Sequence, residues 1–245
     1  MLAPRKAVVL AAGRGSRLLH NDPQPKPLVS LAGRRIIDYT LEAIASAGIA
    51  EILLVVGYRE EELRAAIGEF GPEGVPVHYV SNPAWEGPAS TSLRAARAWC
   101  GGEPFLLTMS DHVLSPDFVR TFLERAGPGE CAVAADSSPH GEAYVAEATL
   151  LELGPGGQVV GIGKGRERWH ALDAGAFILQ PEAWPVIDEA PERCELSAIF
   201  TRVAATIGLT AVDISGTFWY DIDTDEDLAA AAQTMTGNVE QGTAL

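Results

Sequence analysis

The residues of this sequence that are best suited to chemistry follow its first apolar run. The run from Lys6 to Leu10 is short and rich in β-branched residues, which is typical of a buried strand in a parallel sheet. Small and basic residues come directly after it, in the order Ala11-Ala12-Gly13-Arg14-Gly15-Ser16-Arg17. Glycines let a backbone approach a ligand closely, so successive N–H groups can face an anion. With Ser16 able to begin a helical turn and Arg17 adding a guanidinium, the segment predicts a cradle for a triphosphate.

Two familiar phosphate loops do not fit this segment. The dinucleotide pattern G-x-G-x-x-G would need a glycine where the chain has Leu18, and the Walker pattern is absent. A G-x-G alone also occurs in ordinary turns after strands. Lys26 favours the phosphate interpretation, because Pro25 and Pro27 hold the backbone around it extended. The chain has only three lysines, which makes this position more informative than a surface lysine usually is.

Acidic residues at two later strand ends are candidate metal ligands. Asp111 follows the apolar run from Glu103 to Met109, where a carboxylate is costly to place without a partner. Mg²⁺ is such a partner, since it prefers carboxylate oxygens. Asp221 ends an aromatic strand before the predicted helix cap Thr224. We include Asp223 with these ligands, although a helix N-terminus also explains an acidic residue there.

Three further positions offer polar groups beside the predicted phosphate loop. Asn82 to Leu93 follows a strand end, where open α/β sheets bind ligands, and its polar side chains are those of Asn82, Ser90 and Ser92. A surface loop with a cap for a helix over 92–99 explains the same residues equally well. Lys164 lies in the glycine-rich segment 161–165, and the scarcity of lysine favours an anion contact over a solvated side chain. His112 either donates to the site or is packed, and we favour the first.

The spacing of apolar residues predicts the elements that position these side chains. Strands over 6–10, 51–56, 75–80 and 103–109 alternate with helices over 36–44, 59–69 and 92–99, which indicates a parallel sheet. The second half predicts strands Cys131 to Asp136, Tyr144 to Leu153, Gln158 to Ile162 and Leu172 to Gln180, forming a mixed extension over the site. A helix over 225–236 precedes a frayed tail over 237–245. We therefore expect one domain, 1–236, with a nucleotide-binding half (1–130) and an acceptor-binding half (131–223).

Composition excludes several classes of function. The formal net charge of −15 argues against nucleic acid or an anionic membrane as a partner. No apolar run reaches the length of a membrane span and no secretory leader is evident, so the expected location is the cytoplasm. Three isolated cysteines indicate neither a disulfide framework nor a zinc site.

Together these residues resemble the nucleotidyltransferases that activate sugar phosphates and small phospho-alcohols. Leu10-Ala11-Ala12-Gly13-x-Gly15-x-Arg17 with Pro25-Lys26-Pro27 resembles the family's nucleotide signature, and Asp111 with Trp219-x-Asp221 resembles its metal aspartates. The resemblance implies an α/β fold of the Rossmann-like, glycosyltransferase-A-like type. Its mixed, mainly parallel central sheet would be flanked by helices and carry a β-rich extension on the acceptor side. It also implies Mg²⁺ as the cofactor.

Three short segments are most similar to CTP:inositol-1-phosphate cytidylyltransferases. They are Met109-Ser110-Asp111-His112, Ile162-Gly163-Lys164-Gly165 and Leu172-Asp173-x-Gly175. Related enzymes transfer CMP to phosphocholine or phosphonates. Inositol phosphate diesters are mainly solutes of thermophiles, and this composition is not thermophilic. A phosphonate acceptor is therefore about as well supported as inositol-1-phosphate. The resemblance implies CTP and a small phosphorylated or phosphonate acceptor as substrates.

The resemblance also implies roles for the candidate residues. Arg17 would hold the β- and γ-phosphates and Lys26 the α-phosphate, while the backbone at 10–13 and some of Asn82, Ser90 and Ser92 would contact the base. The metal ligands would be Asp111 and Asp221, with Asp223, and the acceptor ligands Lys164, His112 and Asp173. The oligomeric state stays open, with the β-rich half able to supply an edge or a face for a homodimer.

Three other functions remain open and rank lower. A sugar-1-phosphate nucleotidyltransferase that uses UTP or dTTP shares the small-residue loop, because residues 10–13 suit several bases. A regulatory module would bind a nucleotide without needing either aspartate. A glycosyltransferase would normally carry D-x-D after the central strand, whereas this chain has Asp111-His112-Val113.

Overall fold

The fold is taken from a computed structural model that describes residues 4–18, 24–138, 145 and 147–240. The strands are β1 Lys6–Ala11, β2 Ser30–Leu31, β3 Arg34–Arg35, β4 Glu51–Val56, β5 Val77–Ser81, β6 Phe105–Met109, β7 His112–Leu114, β8 Ala132–Asp136, β9 Leu150–Leu153, β10 Val159–Gly163, β11 Ala171–Leu179, β12 Thr210–Asp213 and β13 Trp219–Asp221. The helices are α1 Ile36–Ser46, α2 Glu60–Ile67, α3 Ala89–Ala95, α4 Arg97–Cys100, α5 Pro116–Arg125, α6 Ala183–Glu189, α7 Leu196–Thr206 and α8 Asp225–Glu240.

One mixed sheet forms the centre of the molecule and confirms the expected fold class. Its parallel part has the order β6-β1-β4-β5. Strand β11 pairs antiparallel with β6 and continues the sheet into β9 and β10 on one branch and into β8 and β12 on another. Helices flank this sheet, so the strand order follows the predicted change from a parallel first half to a mixed extension.

The register of β1 and β6 explains where the site forms. Leu10 lies beside Met109 in this parallel pair, and the Ser110 N–H donates to the Leu10 carbonyl at 3.0 Å. The loops that follow the two strands therefore leave the same edge of the sheet, the edge at which open α/β sheets bind ligands.

Apolar side chains fill both faces of the sheet. Along β1 they alternate, with Val9 in the cluster on one face and Val8 in the cluster on the other, and both are fully buried. Strands buried on both faces are continuous apolar runs, which is why β1 and β4 were predictable. A third cluster joins Ile36, Ile222 and Met235, and this contact anchors α8 beside the site.

Three predicted elements differ from the structure. Val145 and Glu147 are helical and β9 begins only at Leu150, so the predicted strand over 144–153 is wrong in its first part. Tyr144 lies outside the described residues. The helix predicted over 92–99 is instead two short helices, α3 and α4. The first begins earlier than predicted, directly after the extended Pro88. At the C-terminus α8 continues to Glu240, beyond the predicted helix end at 236, and 241–245 lie outside the described residues.

None of the helices in the described part of the chain is both long and apolar enough to cross a bilayer.

Candidate active site

Lys26 is at the centre of the candidate site. Pro25 and Pro27 place it at the start of a 3₁₀ turn, where it is 7% exposed. Its Nζ donates to Asp111 Oδ2 at 2.9 Å and to Asp223 Oδ1 at 3.0 Å. The structure thus brings three residues that are distant in sequence into one partly buried ion cluster.

The small-residue loop packs directly on this lysine. Gly15 has φ +63°, and a Cβ there would lie 2.5 Å from the Lys26 Cβ, so both the backbone conformation and the space require glycine. Arg17 follows in the loop and its Nη2 donates to Asp223 Oδ2 at 2.7 Å. The two cations predicted to bind phosphates therefore share one carboxylate.

Asp111, His112 and Asp221 form a group that could hold a metal ion. Strands β7 and β13 pair antiparallel with His112 opposite Asp221, and one ligand atom from each of the three residues lies within 4.8 Å of the others. His112 Nδ1 lies 3.1 Å from Asp111 Oδ1 and 3.8 Å from Asp221 Oδ1. Asp223 was predicted with these ligands; its carboxylate pairs with Lys26 and Arg17, and its role toward a metal stays a prediction.

Two residues to which the sequence analysis gave no role, Gly175 and Trp219, hold His112 in place. Gly175 has φ +75°, and a Cβ there would lie 2.0 Å from His112 Cδ2, so the imidazole lies on bare backbone. On another side Trp219 stacks on the ring, with 6.5 Å between centroids and an interplanar angle of 10°. The Trp219 indole N–H donates to Asp136 Oδ2 at 2.9 Å. The sequence offered two signals for this packing: Gly175 in the segment Leu172-Asp173-x-Gly175, and Asp136 at the end of the predicted strand Cys131 to Asp136.

The buried ion cluster shifts the pKa values of its members. Burial alone would lower the pKa of Lys26, but the charges of Asp111 and Asp223 outweigh it and raise the pKa above its usual range. Burial would raise the pKa of Asp111, whereas Lys26 and His112 hold that pKa well below its usual range. Both groups are therefore charged at neutral pH.

The pKa values of His112 and of two carboxylates beside it are all raised, which favours the charged form of the histidine and the neutral form of the two carboxyl groups. Burial would lower the pKa of His112, but Asp221, Asp111 and Asp173 raise it to about 9. Burial raises the pKa of Asp221 to about 6 despite the attraction of His112. Burial also raises the pKa of Asp173 to about 6, although this carboxylate accepts a 2.9 Å hydrogen bond from the Gly175 N–H. The positive charge of the His112 imidazolium therefore partly neutralises the carboxylates of Asp111, Asp173 and Asp221.

A cavity of about 470 Å³ opens beside these residues. Its lining includes His112, Asp173 and Lys164, the three residues predicted to bind an acceptor. Lys164 is exposed and lies between Gly163 and Gly165 on the loop after β10. The structure therefore brings the acceptor candidates together in one cavity, which Arg17 of the small-residue loop also lines.

The side chains predicted to contact the base are hydrogen-bonded to other groups of the protein. Asn82 donates to Thr91 and Ser92 at 2.9 Å each and accepts from the Ala84 N–H. Ser90 is fully buried and accepts from the Cys194 N–H. Their contact with a base stays a prediction, and this geometry gives them a role in shaping the loop.

The same loop presents an aromatic residue to the phosphate loop. A Cβ at Gly57 would lie 2.4 Å from the Trp85 Cβ and 3.0 Å from the Ala12 Cβ, so Trp85 packs where strand β4 ends. Its ring lies 5.4 Å from that of Tyr58, over which Arg14 lies at 5.7 Å. Trp85 thus packs beside the predicted nucleotide loop.

A family profile and two related proteins place this chain among the nucleotidyltransferases. The profile of the MobA-like NTP transferase domain matches residues 7–155. A bifunctional IPC transferase and DIPP synthase from Rubrobacter xylanophilus is 35% identical over 240 residues, which cover 96% of this chain and 53% of that protein. A CMP-5′-(3-aminopropyl)phosphonate synthase from Streptomyces rubellomurinus is 34% identical over 252 residues, covering 91% of this chain and 38% of that protein. The chain thus spans about half the length, or less, of these relatives.

A solved structure supports the fold independently. The inositol-1-phosphate CTP transferase from T. maritima superposes with a TM-score of 0.82 at 20% identity, covering 100% of this chain and 99% of that one. The fold of the two chains is therefore the same over their whole described length.

Proposed function

Because the chain belongs to the MobA-like NTP transferase family, we propose that it is a cytidylyltransferase. It moves CMP from CTP to a small phosphate or phosphonate acceptor and releases pyrophosphate. The names of the two curated relatives support this choice, since one makes a CMP-phosphonate and the other is an IPC transferase.

The position of Lys26 is the observation that carries the proposal. Its ammonium group lies between Asp111 and Asp223, at 2.9 and 3.0 Å, and its side chain packs on Gly15 of the small-residue loop. A phosphate bound by that loop would meet a buried cation on one side and the metal-capable group on the other. This is the arrangement that charge neutralisation at an α-phosphate requires.

The reaction needs positioning more than proton transfer. An oxygen of the acceptor's phosphate or phosphonate attacks the α-phosphorus of CTP in line, and the bond from that phosphorus to the bridging oxygen breaks as pyrophosphate leaves. The acceptor oxygen is already anionic, so no base has to remove a proton. Lys26 stabilises the charge on the α-phosphate, and Arg17 orients the β- and γ-phosphates.

The residues present suit Mg²⁺. Asp111 and Asp221 supply carboxylate oxygens, the donors that this ion prefers, within a group spanning 4.8 Å. Mg²⁺ held there would supply positive charge beside the phosphates. His112, whose pKa is raised to about 9, holds both aspartates in place.

The lining of the cavity indicates the acceptor's general chemistry. Lys164 offers a cation for a phosphorus group, and Asp173, Glu147 and Glu226 offer carboxylates at other parts of the wall. Carboxylates accept hydrogen bonds, so they suit hydroxyl or ammonium groups on the acceptor's body. Inositol phosphate and aminoalkylphosphonates both have an anion at one end and such donors at the other.

The test is pyrophosphate release with Mg²⁺ and CTP across a panel of acceptors. The panel contains inositol-1-phosphate, phosphocholine, aminoethylphosphonate, simple phosphonates and hexose-1-phosphates, and each is repeated with UTP, dTTP, ATP and GTP. We expect release with CTP and one phosphate or phosphonate. Lys26→Ala, compared with the distant Lys6→Ala, should remove that release.

Other results would assign the other functions. Release with UTP or dTTP and a hexose-1-phosphate would identify a sugar nucleotidyltransferase and contradict our choice of base. CTP binding without release in any well would identify a binding module and contradict the proposed reaction.

A further inference from the structure

Lys164 is presented by a loop with little stiffness of its own. Gly163 and Gly165 flank it with φ values of 153° and 66°, and a Cβ at either glycine would meet nothing within 4 Å. Glycines lose more conformational freedom than other residues when a loop becomes ordered, and a lysine side chain adds further rotamer entropy. The affinity of such a lysine for an anion is higher if a contact outside the loop already holds the loop in place.

Arg166 makes the contact that restrains this loop. Its Nη2 donates to Glu152 Oε2 at 2.6 Å. Glu152 lies directly opposite Gly161 in the antiparallel pair of β9 and β10. Arg166 therefore folds back from the loop across the two strands that lead into it.

Gly161 provides the space that the Arg166 side chain occupies. A Cβ at that position would lie 2.1 Å from Arg166 Nη2 and 2.4 Å from Cζ. Gly161 is itself buried and has no positive φ, so the backbone alone does not require glycine there. The guanidinium lies flat on bare strand, and any side chain at 161 would displace it.

The pair is partly shielded from water. The Arg166 and Glu152 side chains are 31% and 21% exposed, whereas Arg168, whose Nε lies 3.8 Å from the other oxygen of Glu152, is 82% exposed. Exposed pairs contribute little, while a partly shielded, short charged hydrogen bond fixes geometry. Arg168 is thus the natural control for Arg166.

We propose that Arg166, held by Glu152 over Gly161, is a positioning residue for Lys164 and sets the enzyme's affinity for the anionic group of its acceptor. We call the three residues Arg166, Glu152 and Gly161 the Arg166 clamp. Its effect on substrate rests on the proposed function, but its effect on the loop does not.

Kinetics provide the first part of the test. Arg166→Ala, Glu152→Gln and Gly161→Ala each break the clamp in a different way, so one misfolded variant does not remove the test. Each should raise the acceptor KM about tenfold, equivalent to about 1.4 kcal/mol, and leave kcat and the KM for CTP nearly unchanged. Arg168→Ala should change none of them. In a Lys164→Ala background, Arg166→Ala should add almost nothing, because the two residues act through one contact.

Proteolysis provides a readout that needs no activity. Endoproteinase Lys-C cuts after lysine, and this chain has only Lys6 in β1, the buried Lys26, and the exposed Lys164. Cleavage of the native protein therefore reports on the 164–165 bond. The three clamp variants should be cut several-fold faster than the wild type, and Arg168→Ala at the wild-type rate.

The two readouts separate the possible failures. Wild-type protein that releases no pyrophosphate with any acceptor would contradict the proposed function, and cleavage rates would still decide whether the clamp restrains the loop. Unchanged cleavage in Arg166→Ala and Gly161→Ala would overturn the clamp itself. An acceptor KM that stays unchanged in those variants would overturn its role in binding.

Discussion

Lys26 and Asp111 form an ion pair, 2.9 Å from Nζ to Oδ2, at the carboxylate that a divalent cation would use. The other oxygen of Asp111 lies 3.1 Å from His112 Nδ1, so both oxygens already face a cation. A metal that binds Asp111 is therefore repelled by the positive charge already at this carboxylate. Under the proposed function, Lys26 would both bind the phosphate and compete with the metal.

Lys26→Ala should change metal binding and turnover in opposite directions. Without the ammonium group Asp111 is free to bind a cation, so we expect Mn²⁺, used as a probe for the Mg²⁺ site, to bind about tenfold more tightly. Turnover should fall by about 10²–10³, the effect of losing a preorganised cation in the transition state. Mn²⁺ binding is measured by electron paramagnetic resonance without nucleotide. Lys6→Ala is the control, and weaker Mn²⁺ binding in Lys26→Ala would contradict the competition.

Asp136→Ala should destabilise the protein through Trp219. Asp136 is 3% exposed and accepts from the Trp219 indole and, through its other oxygen, from the Ser138 N–H and the Ser215 hydroxyl. Alanine leaves these donors without that acceptor, at a cost of about 1–3 kcal/mol in the free energy of unfolding. Urea unfolding measures it. The exposed Asp117→Ala should change little, and a loss in Asp136→Ala no larger than that in Asp117→Ala would contradict the stabilising role of Asp136.

The parts of this structure that could be predicted from sequence are those that depend on local pattern. Strand β4, predicted and found over 51–56, is a continuous apolar run that only a buried strand accommodates. Asp111 and Asp221 were predicted together because each ends a strand and because of the family resemblance. The first part of the 144–153 segment was misassigned because its apolar residues suit a strand, whereas Val145 and Glu147 are helical and the strand begins at Leu150.

The parts that could not be predicted depend on contacts between distant residues. Asn82 is polar and follows a strand, which favoured a ligand contact, yet its amide is bonded to Thr91 and Ser92. The contacts of Gly161 with Arg166 and of Gly175 with His112 exist only after β10 and β11 are in place. No local spacing encodes them, because a glycine that provides space is indistinguishable in sequence from one that provides a turn.

Asp173→Asn should stabilise the metal-free protein above pH 6. Burial raises the pKa of the folded-state carboxyl from 3.8 to about 6, so the folded state binds a proton more tightly than the unfolded state. Wild-type stability therefore falls as the pH rises from about 4 to about 6, and asparagine does not titrate. We expect a gain of about 1–3 kcal/mol at pH 8 that disappears near pH 4. Urea unfolding in EDTA at both pH values measures it.

Asp213→Asn is a control of opposite sign for that experiment. Burial would raise the pKa of Asp213, but hydrogen bonds from Ser215 and Ser137 lower it below its usual value. Its stabilising effect is present above the unfolded-state pKa and is lost as the pH falls. Asp213→Asn should therefore lose stability at pH 8. If Asp173→Asn also loses stability there, burial of Asp173 does not dominate its energetics.

Gly175→Ala should impair the site more than it impairs the fold. Gly175 and Gly74 have φ values of 75° and 74°, but a Cβ at Gly175 would lie 2.0 Å from the His112 ring, whereas one at Gly74 would meet nothing within 4 Å. Both alanine variants should lose about 1 kcal/mol of stability from the left-handed backbone. Only Gly175→Ala should also displace His112 from between Asp111 and Asp221, and so lower turnover and metal affinity together. Urea unfolding, Mn²⁺ binding and pyrophosphate release are measured on both variants. Equal turnover in the two, with equal stability, would mean that the position of His112 over Gly175 does not matter to the reaction.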